Sequence, residues 1–396
     1  MKFSSLVQRI AGDGADAWHT HYAAMAARDR GEDVIILSVG DPDIATPTPV
    51  VDQAIARLRA GDTHYTPLRG RLALRARIAA AHAERSGQAT AADQVVVLCG
   101  AQNALFVAAM CLAEPGDEVL AFDPMYPTYP ATIEASGARM VRVRQPADGG
   151  FRPDLEALSS AITPRTRALF LASPNNPSGV VLSAGELAGI GELARRHDLW
   201  IVADEVYACC APTGRVPSLA ASLPEQVVSI GSLSKSHAMT GWRLGWMVAP
   251  EALTRHAEDL VMCMLYGLPG FIQEAALTAL GIAQESEQRI RDYCAARARL
   301  MTQQVQGIRG IRPLAPEAGM FMLLDVRDSG LTSAQFVSEF FRQQKVSLMD
   351  GGAFGHEARG FVRLCFATDT ALIVEACRRL RQFCEDWRRG WDSNPR

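Results

Sequence analysis

The sequence predicts an α/β fold: a mainly parallel, seven-stranded sheet sandwiched by helices, followed by a smaller C-terminal α/β domain. Seven short apolar runs alternate with helical stretches. Each run lacks the polar alternation of a half-exposed strand, which is typical of strands buried on both faces. Alternation with helices predicts parallel strands, whose carboxyl ends form the ligand-binding edge. The runs are 95–99, 118–122, 139–143, 168–172, 199–203, 227–230 and 245–248.

The chain around this sheet divides into four predicted regions. A short strand at 34–39 follows an N-terminal arm, and two helices then precede the sheet. Beyond residue 250, long helical stretches lead to a compact strand–helix set and a final helix from Thr370. The last residues have no helical period and are expected to be disordered. The regions are an arm with a segment of the small domain (1–45), a large domain (46–280), a small domain (281–389) and a tail (390–396).

Composition limits the function classes. The 396 residues are 48% hydrophobic and 21% charged, with a net charge of −3, so neither nucleic acid nor a membrane surface is expected as a partner. The nine cysteines are odd in number and form no C-x-x-C pair, which favours reduced thiols and gives no sign of a metal site. No apolar run resembles a signal peptide or a membrane span. We therefore expect a cytoplasmic protein.

Lys235 is the first candidate for chemistry. It lies in the segment 232–246, SLSKSHAMTGWRLGW, directly after the predicted strand at 227–230. A lysine among hydroxyls and glycines, with Arg243 nearby, is a candidate Schiff-base nucleophile, because a desolvated amine beside another cation loses its proton more readily. The segment alone also fits an ordinary loop lysine, so matching parts must be found elsewhere.

Four other loops follow predicted strands and carry suitable groups. Gly100 begins a strand-to-helix turn, whose free backbone N–H groups can bind an anion. Tyr126 places an aromatic ring at the same crevice. Asn176 lies in a loop that two prolines and a glycine hold in shape, and Asp204 ends a strand where a carboxylate needs a cation or donors. Each feature alone also fits an ordinary turn or core residue.

Together the loops meet the needs of pyridoxal phosphate: a lysine for its aldehyde, an acid for its ring nitrogen, donors for its phenolate oxygen, an aromatic ring and an anion site. The motifs Y-T-P-x-x-G, P-N-N-P-x-G, D-E-V-Y and S-L-S-K with G-W-R-x-G-W resemble those of the class I/II aminotransferases of fold type I. The resemblance covers residues 40–382. It implies pyridoxal phosphate bound by the large domain, amino-acid and 2-oxo-acid substrates, a ping-pong reaction and a homodimer with shared active sites.

The resemblance also implies a role for each matching residue. Lys235 would hold the cofactor aldehyde and then act as general base, and Asp204 would pair with the ring nitrogen. Arg363 would bind the substrate carboxylate, which its planar fork suits. The remaining implied roles are ring stacking by Tyr126, phenolate contact by Asn176 and Tyr207, phosphate binding by Ala101, Gln102, Ser232 and Arg243, phosphate binding across the dimer by Tyr65, and substrate contact by Gly40 and Asn176.

Segments outside the cofactor motifs resemble family members that transfer the amino group of L-arginine to pyruvate. A guanidinium substrate needs a carboxylate or carbonyl cluster at the pocket mouth. Asp13, Asp16 and Asp41 are candidates, although each also fits a helix cap or a solvated acid. The segments that carry this resemblance are 9–15, 37–43, 234–240, 263–267 and 271–273.

Two departures from the family pattern bear on substrate choice. Met264–Gly267 replaces a stretch that is rich in serine and threonine in many relatives, so Tyr266 is predicted to shape the substrate pocket. Asp41 and Ile44 stand where relatives often carry the acid and the aromatic residue of G-E-P-D-F. Alternative functions are an aspartate or aromatic aminotransferase and a carbon–sulfur lyase of the same fold. A dehydrogenase is disfavoured because no G-x-G-x-x-G follows the early strand.

Overall fold

A computed structural model describes residues 2–11 and 18–392 of the chain, with side chains as far as Trp387. The strands of this described part are β1 (Ile35–Ile36), β2 (Val95–Leu98), β3 (Glu118–Asp123), β4 (Arg139–Arg144), β5 (Thr166–Ala172), β6 (Trp200–Asp204), β7 (Val227–Ser232), β8 (Gly245–Val248), β9 (Arg312–Leu314), β10 (Phe321–Asp325), β11 (Val346–Ser347), β12 (Met349–Asp350) and β13 (Phe361–Cys365).

The α-helices of the same part separate and cover these strands. They are α1 (Ser5–Ala11), α2 (His19–Asp29), α3 (Thr48–Arg59), α4 (Leu72–Ser86), α5 (Ala101–Leu112), α6 (Tyr129–Glu134), α7 (Leu155–Ala161), α8 (Ala184–Arg196), α9 (Leu233–Ser236), α10 (Glu251–Met264), α11 (Gly270–Gly281), α12 (Ala283–Val305), α13 (Ser333–Gln344) and α14 (Thr370–Asp392).

The large sheet has the strand order β2-β8-β7-β6-β5-β3-β4. Every pairing is parallel except those of β8, which is antiparallel to both neighbours. This confirms the predicted mainly parallel sheet of seven strands. The prediction that every strand is buried on both faces is wrong for β4, where Arg139 and Arg144 are exposed. This strand lies at the edge of the sheet, where charged side chains discourage pairing with another chain.

A second, smaller sheet is antiparallel and has the strand order β12-β13-β10-β9. In addition, β1 pairs in parallel with β11, so a segment that precedes the large sheet packs with the C-terminal part of the chain. Ile35 and Leu37 accordingly share one hydrophobic core with Phe336 and Phe383. This confirms the predicted smaller α/β unit after residue 250.

The C-terminal helix reaches into the predicted tail. Helix α14 continues to Asp392 and so includes the first three residues of the tail 390–396, whereas residues 393–396 lie outside the described part. The disorder of the tail stays a prediction. Within residues 2–11 and 18–392, no helix has both the length and the apolar character needed to cross a membrane.

Candidate active site

One cavity brings most of the predicted site residues together. It opens at the carboxyl ends of β6 and β7 and at the start of α5, which is the edge that parallel strand order predicts for a ligand. Lys235 and Asp204 both face it. The lining residues are Ala101, Gln102, Leu105, Tyr126, Ala172, Asn176, Asp204, Val206, Tyr207, Ser232, Ser234, Lys235, Thr240 and Arg243.

Lys235 is half-buried on the short helix α9, which begins directly after β7. Ser232 caps this helix, because its hydroxyl accepts a 3.0 Å hydrogen bond from the N–H of Ser234. The Lys235 ammonium donates to the carbonyl oxygen of Gly40. Burial lowers the pKa of Lys235, since a desolvated ammonium loses its proton more readily. The amine is therefore suited to nucleophilic attack on an aldehyde.

Asp204 ends β6 in a fully enclosed position. Its Oδ2 accepts a 2.9 Å hydrogen bond from the hydroxyl of Tyr129, and its Oδ1 accepts one of 3.3 Å from the N–H of Val206. Burial raises the pKa of Asp204 to about 6, although both hydrogen bonds oppose the rise. Sequence reasoning missed Tyr129, which stands three residues after Tyr126 in Y-P-T-Y.

The start of α5 forms a cradle of backbone atoms. Gly100 has φ of +80°, and a Cβ there would lie 2.5 Å from Nη2 of Arg243. A Cβ on Gly245 would lie 2.6 Å from the backbone nitrogen of Ala101. Both glycines thus keep open the space in which helix N–H groups and a guanidinium converge. That arrangement fits a phosphate group, as the predicted cofactor requires.

Both polar atoms of the Gln102 side chain already form hydrogen bonds within the protein. Its amide nitrogen donates to Oγ1 of Thr132 over 2.9 Å, and its oxygen accepts from Oγ1 of Thr128 over 2.7 Å. What Gln102 offers to the cavity is therefore its backbone N–H, near the start of α5. Arg243 is oriented by a 2.7 Å hydrogen bond from Nη1 to the carbonyl of Thr240.

Arg363 lies beyond the cavity on β13, where it is buried among neutral groups. Its Nη1 donates to Oδ1 of Asn176 over 3.0 Å, and its Nη2 contacts the carbonyl of Ser38 and Sδ of Met349. Nε has no hydrogen-bond partner in the described part of the chain. Burial lowers the pKa of Arg363 to about 10, which still leaves it charged at neutral pH. A buried guanidinium with a free donor is suited to an anion.

Two aromatic rings contact this guanidinium. The ring centroids of Phe321 and Phe354 lie 4.1 and 4.7 Å from the Arg363 Cζ atom. Phe321 also contacts the ring of Tyr207 edge-on, with centroids 5.6 Å apart. A Cβ on Gly40 would lie 2.5 Å from Cζ of Phe321, so only glycine fits there. Sequence reasoning missed both phenylalanines: the apolar run around Phe321 indicates only a core strand, and Phe354 stands in the glycine-rich stretch GGAFG.

Tyr65 lies outside the cavity of its own chain. It is 84% exposed, and its ring contacts that of Tyr266 edge-on at 4.9 Å. Tyr266 is 54% exposed and has φ of +55°, an uncommon value for a residue with a side chain. The predicted contact of Tyr65 with a neighbouring subunit stays a prediction, as does the contribution of Tyr266 to a substrate pocket.

Only one of the three acids suggested for guanidinium recognition can be located. Asp13 and Asp16 lie outside the described residues. The carboxylate of Asp41 accepts a 2.7 Å hydrogen bond from Oγ1 of Thr240, which lines the cavity. The neighbouring Asp43 instead accepts a 2.6 Å hydrogen bond from the hydroxyl of Tyr293.

Comparison with known proteins gives a consistent result. Residues 32–380 match the family model for aminotransferases of class I and II. The chain is 48% identical over 383 residues to arginine–pyruvate transaminase AruH of Pseudomonas aeruginosa, with 96% of this chain and 97% of that protein covered. It is 34% identical over 367 residues to an aspartate aminotransferase of Thermotoga maritima, with 91% and 94% covered.

A solved structure also matches the fold. The aspartate aminotransferase of Thermus thermophilus with maleate superposes with a TM-score of 0.91 at 28% sequence identity, covering 96% of this chain and 99% of that chain. The matches confirm the family that the motifs indicated, and with it an enzyme of the transaminase type that depends on pyridoxal phosphate. The chain belongs to the class I and II aminotransferases.

Proposed function

We propose that this aminotransferase takes its amino group from L-arginine and delivers it to pyruvate, as a cytoplasmic homodimer with active sites shared between subunits. The 48% identity to an arginine–pyruvate transaminase over nearly the whole chain supports the choice of substrates. One structural observation carries the amino-acid chemistry. A half-buried amine (Lys235) and a buried acid (Asp204) line one cavity, and a buried guanidinium (Arg363) bonds Asn176 on its wall.

Pyridoxal phosphate fits the groups around the cavity. The cradle at Gly100 and Gly245 suits its phosphate, with donors from the backbone N–H groups of Ala101 and Gln102, the hydroxyl of Ser232 and the guanidinium of Arg243. When bound, this cofactor supplies an aldehyde that captures the amine and a ring that takes up the electron pair released at the α-carbon.

Other residues around the cavity would contact or support the cofactor ring. Asp204, whose pKa of about 6 leaves it mostly ionised at neutral pH, would pair with the protonated ring nitrogen, and Tyr129 orients its carboxylate. Tyr126 would stack on the ring, and Asn176 and Tyr207 would donate to the phenolate oxygen. Since Oδ1 of Asn176 already accepts from Arg363, the amide nitrogen of Asn176 is the group left to donate.

A second set of residues would bind the substrate and transfer its α-proton. The free Nε and the Nη atoms of Arg363 bind the α-carboxylate in a fork. Lys235 would move the α-proton as general base, a role that its lowered pKa favours. Gly40 would contact the substrate through its backbone, and its missing side chain leaves room for the edge of Phe321.

The guanidinium end of arginine requires an acid at the pocket mouth. Asp41 is the candidate, because one of its oxygens bonds Thr240 on the cavity wall while the side chain is exposed to solvent. In the dimer, Tyr65 reaches the phosphate of the neighbouring subunit, and Tyr266 adds an aromatic wall to the same pocket. A tyrosine face attracts a guanidinium.

The test is a pair of half-reactions followed by absorbance on the cofactor-loaded enzyme. L-Arginine should convert the visible cofactor band to that of the aminated cofactor, and pyruvate should restore it with formation of alanine. A response to aspartate or aromatic donors but not to arginine would keep the transaminase and refute the substrate. Release of ammonia or thiol without a 2-oxo acid acceptor would favour a lyase instead.

A further inference from the structure

Asp123 joins the two sheets of the molecule. It ends β3 and is 2% exposed. Its Oδ2 accepts a 2.9 Å hydrogen bond from the N–H of His356, and its Oδ1 accepts one of 3.2 Å from the N–H of Glu357. Both N–H groups belong to the segment 351–360, which links β12 to β13 of the small sheet and is called the β12–β13 connection below. A buried carboxylate of the large sheet thus holds this connection.

Asp123 and the β12–β13 connection are in close contact. Gly355 has φ of +141°, and a Cβ at this position would lie 1.9 Å from Oδ1 of Asp123. On the other side of the strand end, the N–H of Met125 donates to the carbonyl of Phe354 over 2.8 Å. Three successive residues of the connection, 354–356, are therefore seated directly against the end of β3.

This seat connects a segment that lines the cavity with the surroundings of Arg363. Phe354 is fully buried, and its ring centroid lies 4.7 Å from Cζ of Arg363. Tyr126, which lines the cavity, follows Asp123 in the loop after β3. The position of Arg363 relative to the cavity thus depends on how the connection sits on the strand end.

We infer that Asp123 is a positioning residue for substrate recognition: by holding the β12–β13 connection it sets Phe354 against Arg363, and so fixes the carboxylate-binding guanidinium relative to the cofactor cavity. The inference rests on the proposed role of Arg363. A small displacement of a binding group suffices for a large loss, because productive geometry has tight tolerance.

The experiment uses two small aminooxy compounds that both react with the cofactor aldehyde. Aminooxyacetate carries a carboxylate for Arg363, whereas methoxyamine carries none. Asp123→Asn keeps the size of the side chain but turns an NH₂ group toward one of the two N–H donors. We expect the rate constant of the loaded enzyme to fall about tenfold with aminooxyacetate and to stay within about twofold with methoxyamine.

Two further variants complete the experiment: one tests the same contact from the other side, and one is a control. Gly355→Ala leaves Asp123 intact but pushes the connection away, so it should show the same selective loss, and it decides the matter if Asp123→Asn fails to retain the cofactor. Glu357→Gln removes the 2.6 Å ion pair to the exposed Arg144 and keeps the backbone N–H. Exposed ion pairs contribute little, so this control should change neither rate constant.

The measurements distinguish a failure of the inference from a failure of the proposed function. Equal losses with both compounds, or none with either, would show that Asp123 acts only on the fold or not at all, and would overturn the inference while leaving the proposed function standing. If the unaltered enzyme itself shows no preference for aminooxyacetate over methoxyamine, the role of Arg363 is refuted, and the inference fails together with the proposed function.

Discussion

The hydroxyl of Tyr129 donates a 2.9 Å hydrogen bond to Oδ2 of Asp204, and both residues are buried. The bond stabilises the ionised form of an acid whose pKa burial raises to about 6. Asp204 must be ionised to pair with a protonated ring nitrogen, and without the bond its pKa would rise further. Tyr129 therefore supports cofactor binding although it does not line the cavity.

Tyr129→Phe should weaken the affinity for pyridoxal phosphate in a pH-dependent manner. A hydrogen bond to a charged group contributes about 1.5–3 kcal/mol, so a loss of about tenfold or more is expected. As pH falls toward and below the raised pKa, the ionised fraction of Asp204 shrinks faster in the variant, and the loss should grow. It should be smallest near pH 8.

The measurement is a cofactor titration of the apoenzyme at several pH values between 5.5 and 8. Tyr126→Phe is the matched control, because it removes the hydroxyl of a nearby tyrosine, keeps the ring that lines the cavity and removes no hydrogen bond of Asp204. An affinity ratio between Tyr129→Phe and the unaltered enzyme that does not vary with pH would contradict the argument.

Lys235 can be tested with unusual clarity because the chain has three lysines, at positions 2, 235 and 345. Burial lowers the pKa of Lys235, whereas Lys345 is exposed and pairs with Glu32 over 3.0 Å. Reduction of the loaded enzyme with borohydride should attach the cofactor to Lys235 and to neither of the others. Peptide mass spectrometry reads the result, and a label on Lys345 would refute the assignment.

The sequence alone predicted several loops that meet at one cavity, for a physical reason. Lys235, Asp204 and Asn176 directly follow buried parallel strands, and the carboxyl ends of such strands meet at one edge. Local sequence thus determines where these side chains converge. The exposed strand β4 was misjudged because a run such as RMVRV has the same local pattern at the edge as in the centre of a sheet.

The surroundings of Arg363 could not be predicted in the same way. Its contacts to Ser38, Asn176 and Phe354 join segments that lie far apart in the chain, and they depend on how the small sheet packs on the large one. Phe354 stands in the glycine-rich stretch GGAFG, which has no apolar periodicity to indicate its burial or its neighbours. The hydrogen bond between Tyr129 and Asp204 was missed for the same reason, since it joins α6 to β6.

Arg363→Lys should raise KM for both amino-acid and 2-oxo-acid substrates by about 10–100-fold and change kcat less. Lysine keeps the charge but loses the fork and the contacts to Asn176 and to the two phenylalanine rings. Steady-state kinetics in both directions measure the effect, and Arg327→Lys, near Phe361, is a matched control. An unchanged KM would exclude Arg363 from carboxylate binding.

Asp41→Asn tests which group recognises the far end of the substrate. If the carboxylate of Asp41 pairs with the guanidinium of arginine, removal of its charge should lower kcat/KM for L-arginine by about tenfold or more. L-Alanine, which lacks a guanidinium, should react at nearly the same rate as with the unaltered enzyme. The ratio of the two kcat/KM values is the quantity to measure, since it cancels any general loss of activity.

Asp43→Asn provides the control for this ratio. Asp43 lies two residues away, but its carboxylate is occupied by Tyr293 at 2.6 Å and by Arg297 at 3.6 Å, so its loss should affect stability without selecting against arginine. A lowered ratio for Asp41→Asn alone identifies Asp41 as the guanidinium site. If the ratio stays constant in both variants, the acid that binds arginine must come from another segment, with Asp13 and Asp16 next to be replaced.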